Sequence, residues 1–293
     1  MRPARQAEAK LTTLTKTIEF PFRLSSDLAE FGVAEDMYVR RMDDETKARL
    51  LRIESAEYDK NGRLSTFTGL SGCLFSETIS PSLDINDEFC SSNYVLIAPS
   101  VERAAEFNLA LKLTGDSCSS LYIGYEPTGA LHFLAPPCYF GRSVLDVTQA
   151  EVHDLSKLVA QIAKGRGDKK LRTMSDIYVH ALSPDLRDES RFIEIAVILE
   201  MLLLPDRSTD LAYRFSLRLA KLMGKLFDES ITGVFEHGRR IYKIRSKLVH
   251  AGSDRDLESV APIAYNYART LLAAYLDDKT LFQQAALDAL CLS

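Results

Sequence analysis

Along the first half of the chain, apolar positions alternate in short runs. Along the second half they recur every three or four residues. Residues 17–23 (Thr-Ile-Glu-Phe-Pro-Phe-Arg) alternate apolar and polar side chains and predict a half-buried strand. Residues 37–41 read as a short strand or a loop, and 43–52 open like a helix with Asp44 as N-cap. Residues 57–87, rich in Ser, Thr, Gly and Asn, read as loops with short strands. Residues 93–98 predict a strand, after which Ser100 caps a helix from 101 to about 113. Residues 120–125 and 130–134 flank Pro127-Thr128-Gly129, a hairpin signal that Pro136-Pro137 ends.

From residue 147 the period becomes helical throughout. Thr148 with Glu151 three residues on forms a capping box for a helix over 148–164. A basic loop, 165–170, contains an Arg-Gly-Asp triplet that reads as coincidence. A second helix over 170–182 stops at Ser183-Pro184. Ser190 caps a third over 191–204, which Pro205 ends, and Thr209 opens a fourth that runs to Phe227. Residues 231–251 and 255–277 give two more, and a short tail helix follows Lys279. Short connections between amphipathic helices imply an antiparallel bundle. The expected class is α+β: a lead-in over 1–16, a mixed α/β domain over 17–146 and an all-α antiparallel bundle over 147–293.

Bulk charge changes little in this picture. The net charge of −5 gives no global argument for nucleic acid, so any such argument must be local. The five cysteines include no Cys-x-x-Cys, and the five histidines include no His-Glu-x-x-His, so no metal site and no cofactor is expected. The longest apolar run, 196–204, is interrupted by Glu200 and is half the length of a membrane span. The polar first 16 residues carry no apolar signal core, and the chain is expected to be cytoplasmic.

Local charge is different. Between Arg214 and Lys247 stand nine basic residues (Arg214, Arg218, Lys221, Lys225, Arg239, Arg240, Lys243, Arg245, Lys247) and three acids (Asp228, Glu229, Glu236), a balance of +6. In the fourth helix Leu211, Phe215, Leu219, Leu222 and Leu226 form the apolar face, beside a stripe of Arg214, Arg218, Lys221 and Lys225. In the fifth, Ile241, Ile244 and Leu248 form the apolar face, Arg239, Arg240, Lys243 and Lys247 make the rest basic, and Gly252 stops the helix. Tyr242, Ser246 and His250 lie along one stripe with Arg245 beside it. A permanent cation, a titratable imidazole and a phenol at one helix end suit a phosphate ester. The simpler reading is two solvated helix faces and a bundle-stabilising pair. Glu200, on the apolar side of its helix, requires a partner and is assigned to Arg214 or Arg218 as a structural polar residue.

The run from Tyr242 to Gly252 resembles the Arg-to-His motif of HEPN domains, in which four to six residues separate the pair. It is similar in particular to the Apea-like HEPN group, whose helix reads Tyr-x-x-Arg-Ser-x-x-x-His-x-Gly. The run from Arg191 through Leu199-Glu200 resembles that group's Leu-Glu helix, and 214–220 its basic third helix. The resemblance covers about 148–278. It implies a dimeric helical bundle acting as a metal-independent endoribonuclease in antiviral defence, toxin–antitoxin systems or RNA processing. Arg245 and His250 are then the catalytic pair. Tyr242, Ser246, Arg239, Arg240, Lys243, Lys247, Arg214 and Arg218 are then phosphate- or RNA-binding residues. The implied partners are RNA, a second copy through the helical domain, and a protein trigger or antitoxin. The alternatives are a non-catalytic module binding RNA or protein and a trigger-sensing module.

Overall fold

The computed structural model describes residues 17–43, 45–46, 50, 55–58, 64–68, 92–115, 121, 123–126, 131–134, 145–182, 186–205 and 210–292. The chain is α+β, with its strands in the first half and most of its helices in the second. It divides into two compact units, 1–160 and 161–293.

In the first unit, β1 (Ile18–Phe22), β2 (Glu30–Ala34), β3 (Met37–Arg41), β6 (Tyr94–Ala98), β7 (Ile123–Tyr125) and β8 (Leu131–Phe133) form one antiparallel sheet in the order β2-β3-β6-β1-β7-β8. β4 (Ser55–Tyr58) and β5 (Leu64–Thr68) form a separate antiparallel pair. β6 is buried at every position, which explains its unbroken apolar sequence, Tyr-Val-Leu-Ile-Ala. Helix α1 (Val101–Thr114) packs on β6, and Ser100 accepts the Arg103 N–H as its cap. Phe107 of α1 meets Phe22 of β1 edge-on at 5.8 Å between ring centroids.

The hairpin expected around 127–129 is present as β7–β8. Strand β2 is the element the pattern did not reveal. Its sequence, Glu-Phe-Gly-Val-Ala, contains a glycine and sits on the sheet edge, where half of it faces water. The residue that accepts the Thr46 N–H is Asp43, at 2.7 Å, so the side-chain cap falls one residue before the expected Asp44, which itself lies outside the described residues.

Helix α2 (Gln149–Lys164) spans the division between the units. Its Glu151 carboxylate accepts the Thr148 N–H at 3.0 Å, one half of the expected capping box. The second unit contains α3 (Lys169–Ala181), α4 (Asp188–Leu203), α5 (Leu211–Phe227), α6 (Ile231–Ala251), α7 (Leu257–Asp277), a 3-10 turn (Lys279–Phe282) and α8 (Gln284–Leu292). Asp168, from the Arg-Gly-Asp triplet, caps α3 by accepting from Lys170 and Leu171, and it also accepts the Tyr275 hydroxyl at 3.0 Å. Helix α4 begins at Asp188, so Ser190 lies in its first turn and is not its cap. Helix α5 begins at Leu211 after Asp210; the expected opener Thr209 lies outside the described residues.

Helix α4 is the centre of this unit and packs against α3, α5, α6 and α7. It is apolar almost all round, with Phe192, Ile195, Ala196, Ile198, Leu199, Leu202 and Leu203 buried, as a central helix must be. Helices α5 and α6 make the most extensive helix–helix contact. Their closest approach is at Gly238, where an added Cβ would lie 2.8 Å from the Ser216 Cα.

Gly238→Ala is therefore expected to lower the thermal transition of the helical unit. Forcing the two backbones apart costs about 1–3 kcal/mol, more than the roughly 1 kcal/mol that alanine gains over glycine in a helix. Thermal unfolding followed by circular dichroism checks this; an unchanged or higher transition temperature would show that the helices can separate freely there.

Candidate functional site

Helix α6 is placed by three features. Ser230 caps its start by accepting the Gly233 N–H. Val234, Gly238, Ile241, Ile244 and Leu248 are buried, as the helical period requires. Gly252, at φ 76°, returns its N–H to the Leu248 carbonyl and ends the helix in the left-handed conformation that glycine adopts without steric cost. A polar contact ties its first half to α7, where His237 Nδ1 lies 2.9 Å from the Tyr267 hydroxyl.

The partner of Glu200 is Arg245. This corrects the expected assignment to Arg214 or Arg218. Arg245 Nη2 donates to Glu200 Oε2 at 3.1 Å, and Arg245 Nε stands 3.0 Å from Oε1. In the second contact the N–H does not point at the oxygen, so it is an electrostatic contact and not a directed hydrogen bond. The side chains are 30% and 22% exposed. Burial pushes the Glu200 carboxyl above its ordinary range, and Arg245 opposes that shift without cancelling it.

Tyr242 lies beside this pair. Its ring is 5.6 Å from Phe215 of α5, and burial followed by the Glu200 charge pushes its phenol upward. Ser246 is half-buried and His250 is exposed, so the stripe from Tyr242 to His250 runs from the bundle out to solvent. Among the described residues the imidazole of His250 has no hydrogen-bond or ion-pair partner. Arg245 and His250 do not bond to each other. Five residues of helix set them about 140° apart around the axis and about 7.5 Å apart along it, so one turns to α4 and the other to solvent.

The basic surface is smaller than the sequence count implies. Arg218 is 1% exposed, donates to the Leu203 carbonyl at 2.7 Å and pairs with Asp288 of α8 at 2.6 Å. Arg214 also reaches Asp288, at 3.4 Å. Arg218 serves the bundle and lies off the expected RNA-binding stripe, which is a correction, whereas Arg214 stays partly exposed. The reason is angular: Arg218 falls only about 20° from Leu211 around α5, so α8 covers it along with the apolar face. Lys247 is neutralised by Asp254, 2.7 Å away, just beyond the helix end. Arg239 pairs loosely with Glu236 at 3.6 Å, Arg240 donates to Ser259, and Lys243 is exposed. Of the acids that pair with these cations, Glu200, Asp254 and Asp288 lie outside the segment whose charge was counted, and Glu236 lies inside it.

Among the described residues no group of three or more His, Cys, Asp or Glu could hold a metal ion, and no helix is long and apolar enough to cross a membrane. No family model matches the chain, and no curated protein or solved structure matches it.

The pair makes stability depend on pH in a defined direction. A carboxyl whose folded value is raised contributes stability that is present below its unfolded value and lost as pH rises through the folded one. Removing Arg245 raises the folded value further, because Arg245 is the group that lowers it. Arg245→Met is expected to destabilise by about 1–2 kcal/mol at pH 7, less than a fully buried pair because both groups reach water. The deficit should shrink toward pH 4.5. Thermal unfolding of both proteins between pH 4.5 and 8 checks it; a deficit independent of pH would mean that Glu200 stays fully ionised without its partner.

Proposed function

We propose that the protein is a cytoplasmic, metal-independent endoribonuclease of the HEPN type, acting on RNA phosphodiesters in defence or stress response. The observation that carries this reading is the outer end of α6. There an exposed imidazole without a partner, His250, follows a guanidinium, Arg245, that is held through one edge only. The motif that resembles the Apea-like HEPN group supplies the substrate class.

The chemistry is a transesterification. Neutral His250 takes the proton of a ribose 2′-OH, the 2′-oxygen attacks phosphorus, and the bond to the 5′-oxygen breaks as that oxygen takes a proton from the imidazolium of a second copy's His250. The products end in a 2′,3′-cyclic phosphate and a 5′-hydroxyl. Arg245 stabilises the charge that develops on the phosphoryl oxygens. Arg239, Arg240, Lys243 and Lys247 line the approach, with Lys247 exchanging Asp254 for phosphate, while Tyr242 and Ser246 position the ligand. One imidazole cannot be base and acid at once, so this reading requires a homodimer through the helical domain, with two α6 ends in one cleft. The sheet domain then selects the RNA or senses a protein trigger or antitoxin.

A second reading is favoured by the Glu200–Arg245 pair itself. A guanidinium already neutralised within the chain suits a module that binds RNA or a protein without cutting it. The two readings separate on one experiment. Wild-type protein incubated with single-stranded RNA in excess EDTA is expected to give cyclic-phosphate ends, and His250→Ala to lower the rate by about 100-fold or more. Binding without cleavage by wild type would move the assignment to the module.

A further inference from the structure

A guanidinium carries five N–H donors arranged along two usable edges. The side edge joins Nε to one Nη, and the end edge joins the two Nη atoms. In Arg245 the side edge, Nε with Nη2, faces Glu200. Nε is buried, whereas Nη1 has no hydrogen-bond partner among the described residues and reaches solvent. Nη1, at the end of the side chain, is the nitrogen left unpaired and not buried. Glu200 comes from α4, the most deeply packed helix of the unit, and its neighbours Leu199, Leu202 and Leu203 are fully buried. One directed hydrogen bond, from Nη2, and a close contact at Nε hold the guanidinium beside this carboxylate.

We infer that Glu200 is a positioning residue that anchors Arg245 by its side edge and so presents the end edge as a preformed fork for one phosphate of the ligand. Planar bidentate recognition of a phosphate requires such a fork. Arg245 stays protonated in the pair, though the carboxylate offsets its charge, and the contact restricts its rotamers, a loss that binding would otherwise incur. Tyr242, packed on Phe215, stands one turn before Arg245 on α6, close enough for the arginine charge to act on its phenol. The inference rests on the ribonuclease reading for its substrate class, while the anion fork itself rests on the geometry of the pair.

The test uses the full chain as wild type, Glu200→Gln, Glu200→Ala and Arg245→Lys. Cleavage of a ribonucleotide oligomer is measured below all four thermal transitions, alongside binding of its uncleavable 2′-deoxy counterpart. A loosened Arg245 is expected to lower kcat by about 100-fold in Glu200→Ala, with KM little changed. Glu200→Gln, which keeps an oxygen acceptor, should fall between Glu200→Ala and wild type. Arg245→Lys should behave like a loss of the fork. If all variants are folded and the Glu200 variants keep the wild-type kcat, Glu200 is only structural and the inference is overturned.

If wild type does not cleave, the ribonuclease reading fails, and the fork is decided by a separate readout. The side-chain NMR signals of Arg245 are followed on titration with inorganic pyrophosphate. Perturbation of the Nη signals in wild type, with affinity weaker by about fivefold in Glu200→Ala, supports the fork. No perturbation at Arg245, or equal affinity in both proteins, overturns it.

Discussion

A half-buried carboxylate on the central helix of a bundle must be neutralised, and Arg245 is the group that does it. That requirement fixes more than one contact. Glu200 sits on α4, against which α3, α5, α6 and α7 all pack. Binding Arg245 sets the rotation of α6 about its own axis to a side-chain width. With Arg245 turned inward, the geometry of the helix sends His250 outward, about 140° away. The buried face formed by Ile241, Ile244 and Leu248 allows this rotation, because an apolar stripe tolerates a range of angles. The ion pair selects one of them.

The same logic of neutralisation governs the rest of the basic segment. Asp288 returns from the last helix to hold Arg214 and Arg218, and Asp254 folds back beyond Gly252 to hold Lys247. Each of these contacts joins elements distant in sequence or across a turn and pairs a cation, though only Arg218 is taken off the surface. What stays exposed includes Arg239, Arg240, Lys243 and Lys247 on α6 and Lys225 on α5. A surface with few free cations still steers a polyanion, but it leaves most of the discrimination to the geometry of individual side chains.

The elements were legible in the sequence because their signals are local. The period over 231–251 and the glycine that closes it lie within one stretch, and helix α6 has those bounds. Strand β2 was illegible for the opposite reason: at the sheet edge, Gly32 breaks the apolar run and alternate residues face water. Pairing was harder than placement. A count of charges along 214–247 treats neighbours in sequence as neighbours in space, and it missed Glu200, Asp254 and Asp288 because they lie outside that window. Arg218 looked solvated because its spacing from Arg214 and Lys221 traces a stripe. A rotation of about 20° from Leu211 was enough to place it under α8. Sequence showed that Glu200 needed a cation; only the helix packing could show which of several arginines supplies it.

The identity of that cation bears on what the site is for. A partly buried ion pair is a poor source of stability, because desolvation consumes most of the Coulombic gain, and a pair of apolar side chains of similar volume serves a bundle as well or better. Here burial still raises the proton affinity of Glu200 against the pull of Arg245, so the carboxylate is held at a cost. A buried arginine elsewhere, Arg218, has an evident structural use: it satisfies the Leu203 carbonyl at the end of α4 and fastens α8. Arg245 satisfies no backbone group among the described residues and joins two helices, α4 and α6, that are already in contact, so it selects their orientation and brings in no further element. What the pair adds to the packing is a fixed orientation for a guanidinium whose remaining edge reaches water. A cost in stability, incurred to orient a cation toward solvent, is the physical pattern of a binding group more than that of a core contact.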